Sequence, residues 1–382
     1  MDDAKWIDRL TLRATYGING NAEKTTSPQT LISTSTSSTT HGTIGRITNY
    51  GNPLLKWERT KTFNVGVDFS FFKNMLSGKV DAYNRYSVDV IGDVTIPAAY
   101  GTSTQRFNNA EISNRGVEVE LTGNFKVKPI GLGIKSTVTF AYNKNVIEKL
   151  YNPNLYCYQL VESETFVEGK PIGSIYSYKF AGTEDGIPYV YGVDGKKSSF
   201  NDVSLHNREL GLDVLEYSGT VIAPYTLGWN TQLTWNGITF SAFFTGKFGA
   251  VFRAPIEPAP TVSDSKTFVS AQIKMFEESD GTLYPPWPNP GEPKMYLWDR
   301  YLPNLTYFVE SADFIKLKEL DISWELPKKW LRKINVGEAS VFMQARDLGC
   351  IWRANDLGYD PEWLPGTNKP SASVSFGLNV KL

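Results

Sequence analysis

Apolar and polar residues alternate with period two along much of the chain, the mark of strands whose two faces meet different surroundings. From Lys61 to Phe71, the residues Phe63, Val65, Val67, Phe69 and Phe71 share one face, and Thr62, Asn64, Gly66, Asp68 and Ser70 share the other. Arg115 to Val127 repeats the pattern, with Val117, Val119, Leu121, Phe125 and Val127 opposite Glu118, Glu120, Thr122, Asn124 and Lys126. Tyr225 to Trp235 and Ala372 to Leu382 follow the same rule. Less regular alternation covers Leu10 to Ile18, Leu76 to Val88, Ile134 to Tyr142, Ile238 to Gly246, Asp313 to Leu326 and Ala339 to Asp347. Asn84 interrupts one of these segments, and Lys316 to Glu319 interrupts another in the manner of a bulge. Helical spacing is confined to Val269 to Glu278 and a single turn over Lys328 to Lys333. The pattern predicts an all-β fold of ten antiparallel strands.

Strands of about 11 residues, tilted near 45°, span about 26 Å, the height of the apolar band of a transmembrane barrel. Strands of soluble domains are about half as long. The connections also sort into two classes. Those at Lys73 to Met75, Lys128 to Leu132, Asn236 to Gly237 and Lys328 to Glu338 are short. Those at Asn19 to Arg59, Asp89 to Asn114, Lys144 to Pro224, Lys247 to Ala312 and Leu348 to Ser371 are long, and the classes alternate strictly. Short turns at one end and long loops at the other is outer-membrane barrel topology, and it puts the carboxyl terminus on the short-turn, periplasmic side. Trp6, Phe71, Phe72, Trp235, Trp324 and Trp330 lie at or near strand ends, where amphipathic rings favour the membrane interface.

Composition narrows the chemistry. The 382 residues carry 39 Lys and Arg against 40 Asp and Glu, without the basic footprint of a nucleic-acid binder. Two cysteines, Cys157 and Cys350, and two histidines, His41 and His206, are too few for a metal centre of ordinary spacing. No apolar run approaches the roughly 18 to 20 residues of a membrane helix. The amino terminus shows no signal-peptide pattern. Asp360 and Glu362 are the nearest approach to a carboxylate pair for glycoside hydrolysis, but they are close neighbours in a Pro-rich loop with no visible partner group, so no enzyme activity is expected. Gly192 to Lys197 and Ser279 to Thr282 read as tight turns rather than calcium loops. Thr25 to Thr43, with 13 Ser or Thr in 19 residues, reads as a flexible surface loop. The stretch from 283 to 301 combines stiffening prolines with Tyr284, Trp287, Tyr296 and Trp298, rings suited to stacking on a sugar or packing on a partner.

Seven segments carry a resemblance: LTLRATYGINGN (Leu10 to Asn21), NPLLKWERT (Asn52 to Thr60), NRGVEVEL (Asn114 to Leu121), GKPIGSIYSYKFAGT (Gly169 to Thr183), SADFIKLKELDISWELP (Ser311 to Pro327), the tripeptide Asp360 to Glu362, and the closing strand. In this order and spacing they resemble the carboxyl-terminal barrel of SusC/RagA-type TonB-dependent transporters. Two departures stand out: Leu382 replaces the usual terminal aromatic, and Asp347-Leu348-Gly349 stands where the family usually has N-L-F. The resemblance implies that residues 1 to 382 are part of a barrel of about 22 strands, without the plug and the TonB-contacting segment. It further implies an outer-membrane importer of oligosaccharides or peptides that uses no cofactor, with a SusD-like lipoprotein, TonB and membrane lipid as partners. The alternative is a secreted all-β glycan-binding or adhesin module that never enters a membrane.

Overall fold

Ten strands pair in chain order into one antiparallel sheet in the computed structural model of the protein. The structure describes residues 5–22, 29–97, 99, 104–153, 157–162, 166–184, 187–198, 212–256, 274 and 301–381. The sheet strands are β1 (Ile7–Asn21), β2 (Glu58–Phe71), β3 (Leu76–Thr95), β4 (Thr104–Val127), β5 (Leu132–Leu150), β6 (Tyr225–Trp235), β7 (Ile238–Phe248), β8 (Phe314–Glu325), β9 (Glu338–Arg353) and β10 (Ser373–Lys381). All ten predicted strands are present. Among the described residues the sheet is open, with β1 and β10 each paired on one side only.

Register turns the alternation of each strand into two continuous surfaces. Leu12, Val67, Val80, Val119, Phe140 and Leu227 follow one another by direct cross-strand pairing. So do Thr11, Asp68, Lys79, Glu120, Thr139 and Gly228 on the other face. A one-residue slip at any pairing would mix these surfaces, so register is strongly specified. The apolar surface is uncovered: Leu12 and Phe376 each leave 76% of their area exposed. A soluble sandwich buries such a face under a second sheet, and no second sheet covers it among the described residues.

The predicted bulge falls at Lys318, which is skipped in the pairing of β8 with both β7 and β9. One extra residue inverts the parity of a strand. Ile315 and Leu317 before it, and Leu320, Ile322 and Trp324 after it, therefore all reach the apolar face. The interrupted pattern is thus two intact alternations joined out of phase. Asn84 has another explanation. It lies on the apolar face between Phe63 and Arg115, and Arg115 faces Lys144, so this row marks the level at which that face turns polar. Beyond it the ladders continue although the hydrophobic period stops. β4 consequently begins at Thr104 and β5 runs to Leu150, well outside the alternating segments.

The short-turn end closes with local chemistry. Asn236 and Gly237 both have positive φ (49° and 81°) between the paired Trp235 and Ile238, the Asn-Gly hairpin that matches strand twist. The six girdle candidates gather at this end. Trp6 packs on Phe71 and Phe72, Trp235 donates from Nε1 to the Ile130 carbonyl, and Trp324 meets Trp330 edge to face at 5.7 Å. Tyr142, Tyr225, Phe248 and Trp352 form a second aromatic group at the other end. From Tyr225 to Trp235 a tilted strand of this length rises about 24 Å.

At the long-loop end the connections are folded rather than loose. Helix α1 (Cys157–Glu162), strands Ser174–Tyr178 and Leu215–Thr220, and a second pair, Val251–Arg253 with Val309–Ser311, enclose a core of Cys157, Leu160, Tyr176, Tyr178, Tyr301, Leu305 and Phe308. Gly192 to Lys197 forms the predicted tight turn between Ile187–Tyr191 and Lys197–Ser198. The Ser/Thr-rich stretch departs from expectation: Leu31–Thr36 and Thr43–Asn49 pair as a hairpin, because Thr is at home in strands even where nothing is buried. The predicted turn of helix is present as α2 (Lys328–Leu331). The predicted helix over 269 to 278 lies outside the described residues, apart from Lys274.

Candidate functional site

The polar face is a hydrogen-bonding surface assembled across strands. Arg13 on β1 binds Asp68 on β2 at 2.8 Å and Asp81 on β3 at 3.1 Å, and Lys79 reaches Glu120 at 3.3 Å. Gly66 leaves the room that the Arg13–Asp81 contact occupies, since a Cβ there would push the Asp81 carboxylate and the Arg13 guanidinium aside. Further toward the long-loop end the Tyr83 ring crosses Gly116, its hydroxyl donates to Asn143 Oδ1 at 3.1 Å, and Arg85 stacks over the ring. Such a face holds water and polar solute, not lipid.

At the long-loop end the connection from β9 to β10 folds back onto this face. Lys316, on β8 with only 2% of its surface exposed, contacts Asp360 at 2.6 Å and Glu362 at 2.8 Å. Lys247 on β7 adds a 2.8 Å bond to Glu362, and Lys369 lies 3.6 Å from Asp360. The Glu362 backbone N–H donates to Asp360 Oδ1, fixing the tripeptide in a turn. Burial by itself would raise both carboxyls. The lysine hydrogen bonds outweigh it, hold Asp360 below the ordinary carboxylate range and bring Glu362 down to about 2. The contacts of these two carboxylates with Lys316 and Lys247 clamp the loop to the wall.

A cavity of about 300 Å³ opens beside the clamp, between Val221, Ile222, Ala223, Phe314 and the Lys247–Glu362 pair. Arg253 ties the surrounding loops together. Its guanidinium donates to the carbonyls of Val161 at 3.0 Å and Tyr176 at 2.8 Å, to Ser177 Oγ at 3.2 Å and to Asn304 Oδ1. Burial lowers this arginine to about 10, yet four acceptors from three loop segments keep the group solvated by protein.

The sequence-predicted contact residues Tyr284, Trp287, Tyr296 and Trp298 lie outside the described residues. The clamp joins Asp360 and Glu362 to Lys247 and Lys316, neither of which the sequence marked as a site residue. Lys316 sits in a strand whose alternation points it to the polar side. No periodic signal links it to a carboxylate 44 positions away, and Arg253 had no signal at all.

An exposed apolar face, a polar face bearing ion pairs, short turns at one end and folded loops at the other define the wall of an outer-membrane-type β-barrel. The profile of the TonB dependent receptor-like β-barrel family matches residues 4–247, and the chain belongs to that family. It is 24% identical over its whole length to TonB-dependent receptor P39 of Formosa agariphila, of which it covers 41%. Over 101 residues, 26% of this chain and 10% of the relative, it is 32% identical to TonB-dependent receptor SusC of Bacteroides thetaiotaomicron. The structure superposes on the RagAB peptide transporter with a TM-score of 0.74 and 24% identity, covering all of this chain and 41% of that one. The chain thus spans about two fifths of the length of the full-coverage curated relatives it matches.

Proposed function

We propose that residues 1 to 382 form the carboxyl-terminal section of the barrel of an active outer-membrane importer. The importer takes up large nutrients, oligosaccharides or peptides, with a SusD-like lipoprotein over the long-loop end and TonB supplying energy from the periplasm. The observation that carries this reading is the separation of one apolar and one polar surface across a single-layer sheet, with folded loops at one end only. Among the described residues β1 and β10 each leave one edge unpaired, which supports a larger barrel, because each unpaired backbone group in lipid costs several kcal/mol. The four loop aromatics, Tyr284, Trp287, Tyr296 and Trp298, are the candidate contacts to substrate or lipoprotein.

The test uses the native host. Removing the gene should abolish uptake of one class of labelled oligosaccharide or peptide, complementation should restore it only where TonB is functional, and a lipoprotein should co-purify in detergent. Unchanged uptake in the deletion strain, or recovery of the protein as a soluble secreted species, would refute the reading. Replacing the four rings by alanine should weaken substrate or lipoprotein binding without reducing assembled protein.

A further inference from the structure

The turn between β8 and β9 has a composition that barrel closure does not require. Lys328, Lys329, Arg332 and Lys333 place four cations within six residues, spread over α2 and the 3-10 turn Arg332–Ile334 that follows it. All four are exposed, and none forms an ion pair with a described carboxylate at 4 Å or less. Of the nearby acids, Glu338 is engaged by Lys381 at 3.5 Å. Between the cations, Leu331 is buried and Trp330 leaves 55% of its surface exposed. The segment is anchored. Trp330 and Leu331 N–H groups both donate to the Pro327 carbonyl, Asn335 reverses the chain at φ 54°, and Trp330 meets Trp324 edge to face at 5.7 Å. Trp324 belongs to the apolar face, paired with Ile238 and Val341. This fixes Trp330 at the edge of the lipid-facing surface, with four cations beside it.

An aromatic anchor at the hydrocarbon boundary beside a cluster of Lys and Arg is the chemistry that holds an anionic headgroup. The neighbouring short turns do not repeat it: Phe72 to Met75 carries Lys73 alone, and the connection from Val127 to Leu132 carries Lys128 alone. We infer that the β8–β9 turn is a binding site for the phosphate headgroup of an anionic phospholipid in the leaflet at the short-turn end of the barrel. The inference rests on the outer-membrane reading above. The long stems of Lys328 and Lys329 lie along the interface while their ammonium groups reach the phosphate, and Arg332 offers a fork that fits two phosphate oxygens. Four like charges held within one short turn repel one another, and a bound phosphate relieves that repulsion.

The complete outer-membrane protein is reconstituted in nanodiscs of phosphatidylcholine mixed with phosphatidylglycerol, and lipid retained after mild extraction is counted by native mass spectrometry. The native protein should retain phosphatidylglycerol over phosphatidylcholine. Combined Lys328→Gln, Lys329→Gln, Arg332→Gln and Lys333→Gln should remove that preference, at about fivefold per charge. Trp330→Ala should weaken it, and the control Lys73→Gln with Lys128→Gln should leave it intact. Equal retention by the fourfold variant overturns the site, and so does an equal loss per charge in the control. Displacement of the lipid by inorganic phosphate would show a free-anion site and overturn it as well. Heat-modifiability on gels reports insertion separately. Failure to insert would bring down the membrane reading and this inference with it, whereas insertion without headgroup preference brings down the inference alone.

Discussion

Phe376, on β10 in the wall, leaves 76% of its surface exposed, while Phe308, in the folded loops, leaves 1%. The same side chain is placed by opposite rules in two regions of one molecule. In the wall, apolar rows point outward and charges such as Arg13, Asp68 and Asp81 point inward. In the loops, Tyr178, Tyr301, Leu305 and Phe308 point inward, as in any water-soluble domain. The difference identifies the solvent each region meets. Burying apolar area is favourable wherever water is the alternative, and the wall achieves it against lipid while the loops achieve it against themselves.

The sharpest way to break this comparison is to truncate the same residue in both regions. Phe308→Ala should destabilise the loop core by about 3–5 kcal/mol, because it loses transfer energy and leaves a cavity. Phe376→Ala should cost roughly 1.5–3 kcal/mol, since lipid fills the space and only the transfer loss remains. Proteolysis of the loops and heat-modifiability of the wall read the two effects independently, and equal costs would erase the distinction. Next in size, Val67→Arg should cost about 2–4 kcal/mol in refolding into bilayers if it lies near the midplane. A tolerated arginine there would show that the apolar face is not in lipid.

Acid should act on the clamp between the two regions. Glu362 is held at about 2, below its ordinary 4.5, so its contribution is present above pH 4.5 and is lost as pH falls from about 4.5 to about 2. Asp360 shifts in the same direction. Hydrogen exchange of residues 354–372, corrected for intrinsic pH dependence, should accelerate across that window. Glu362→Gln should be loosened already at neutral pH and respond less to acid. The smallest effect, a stability change at the limit of detection in the same refolding assay, is expected at Asp68→Asn, because Arg13 keeps Asp81 and the pair is partly exposed to solvent. The contrast with neighbouring Val67 tests the two faces at adjacent positions.

Legibility followed the same division. Every wall strand could be read from its alternation, and the interruption at Lys316 to Glu319 proved to be the bulge at Lys318. The strand extensions at Thr104 and Leu150 were hidden because above the apolar band neither face repeats with period two. The loop core was hidden for a different reason: Tyr178 and Leu305 meet through an isolated bridge between segments far apart in sequence, and no local pattern encodes such a meeting.

The sequence by itself therefore determined the strand count, the two faces, the ends at which turns are short or long, and the family, because side chains in a strand are sorted by immediate alternation and turns by their own residues. Only the tertiary structure decided that the long loops fold, that Arg253 joins them, and that Lys316 holds Asp360 and Glu362 against the wall. Those contacts depend on where distant segments come to lie once the sheet has formed, and burial of a charge such as Lys316 is tolerable only after its two carboxylates have arrived.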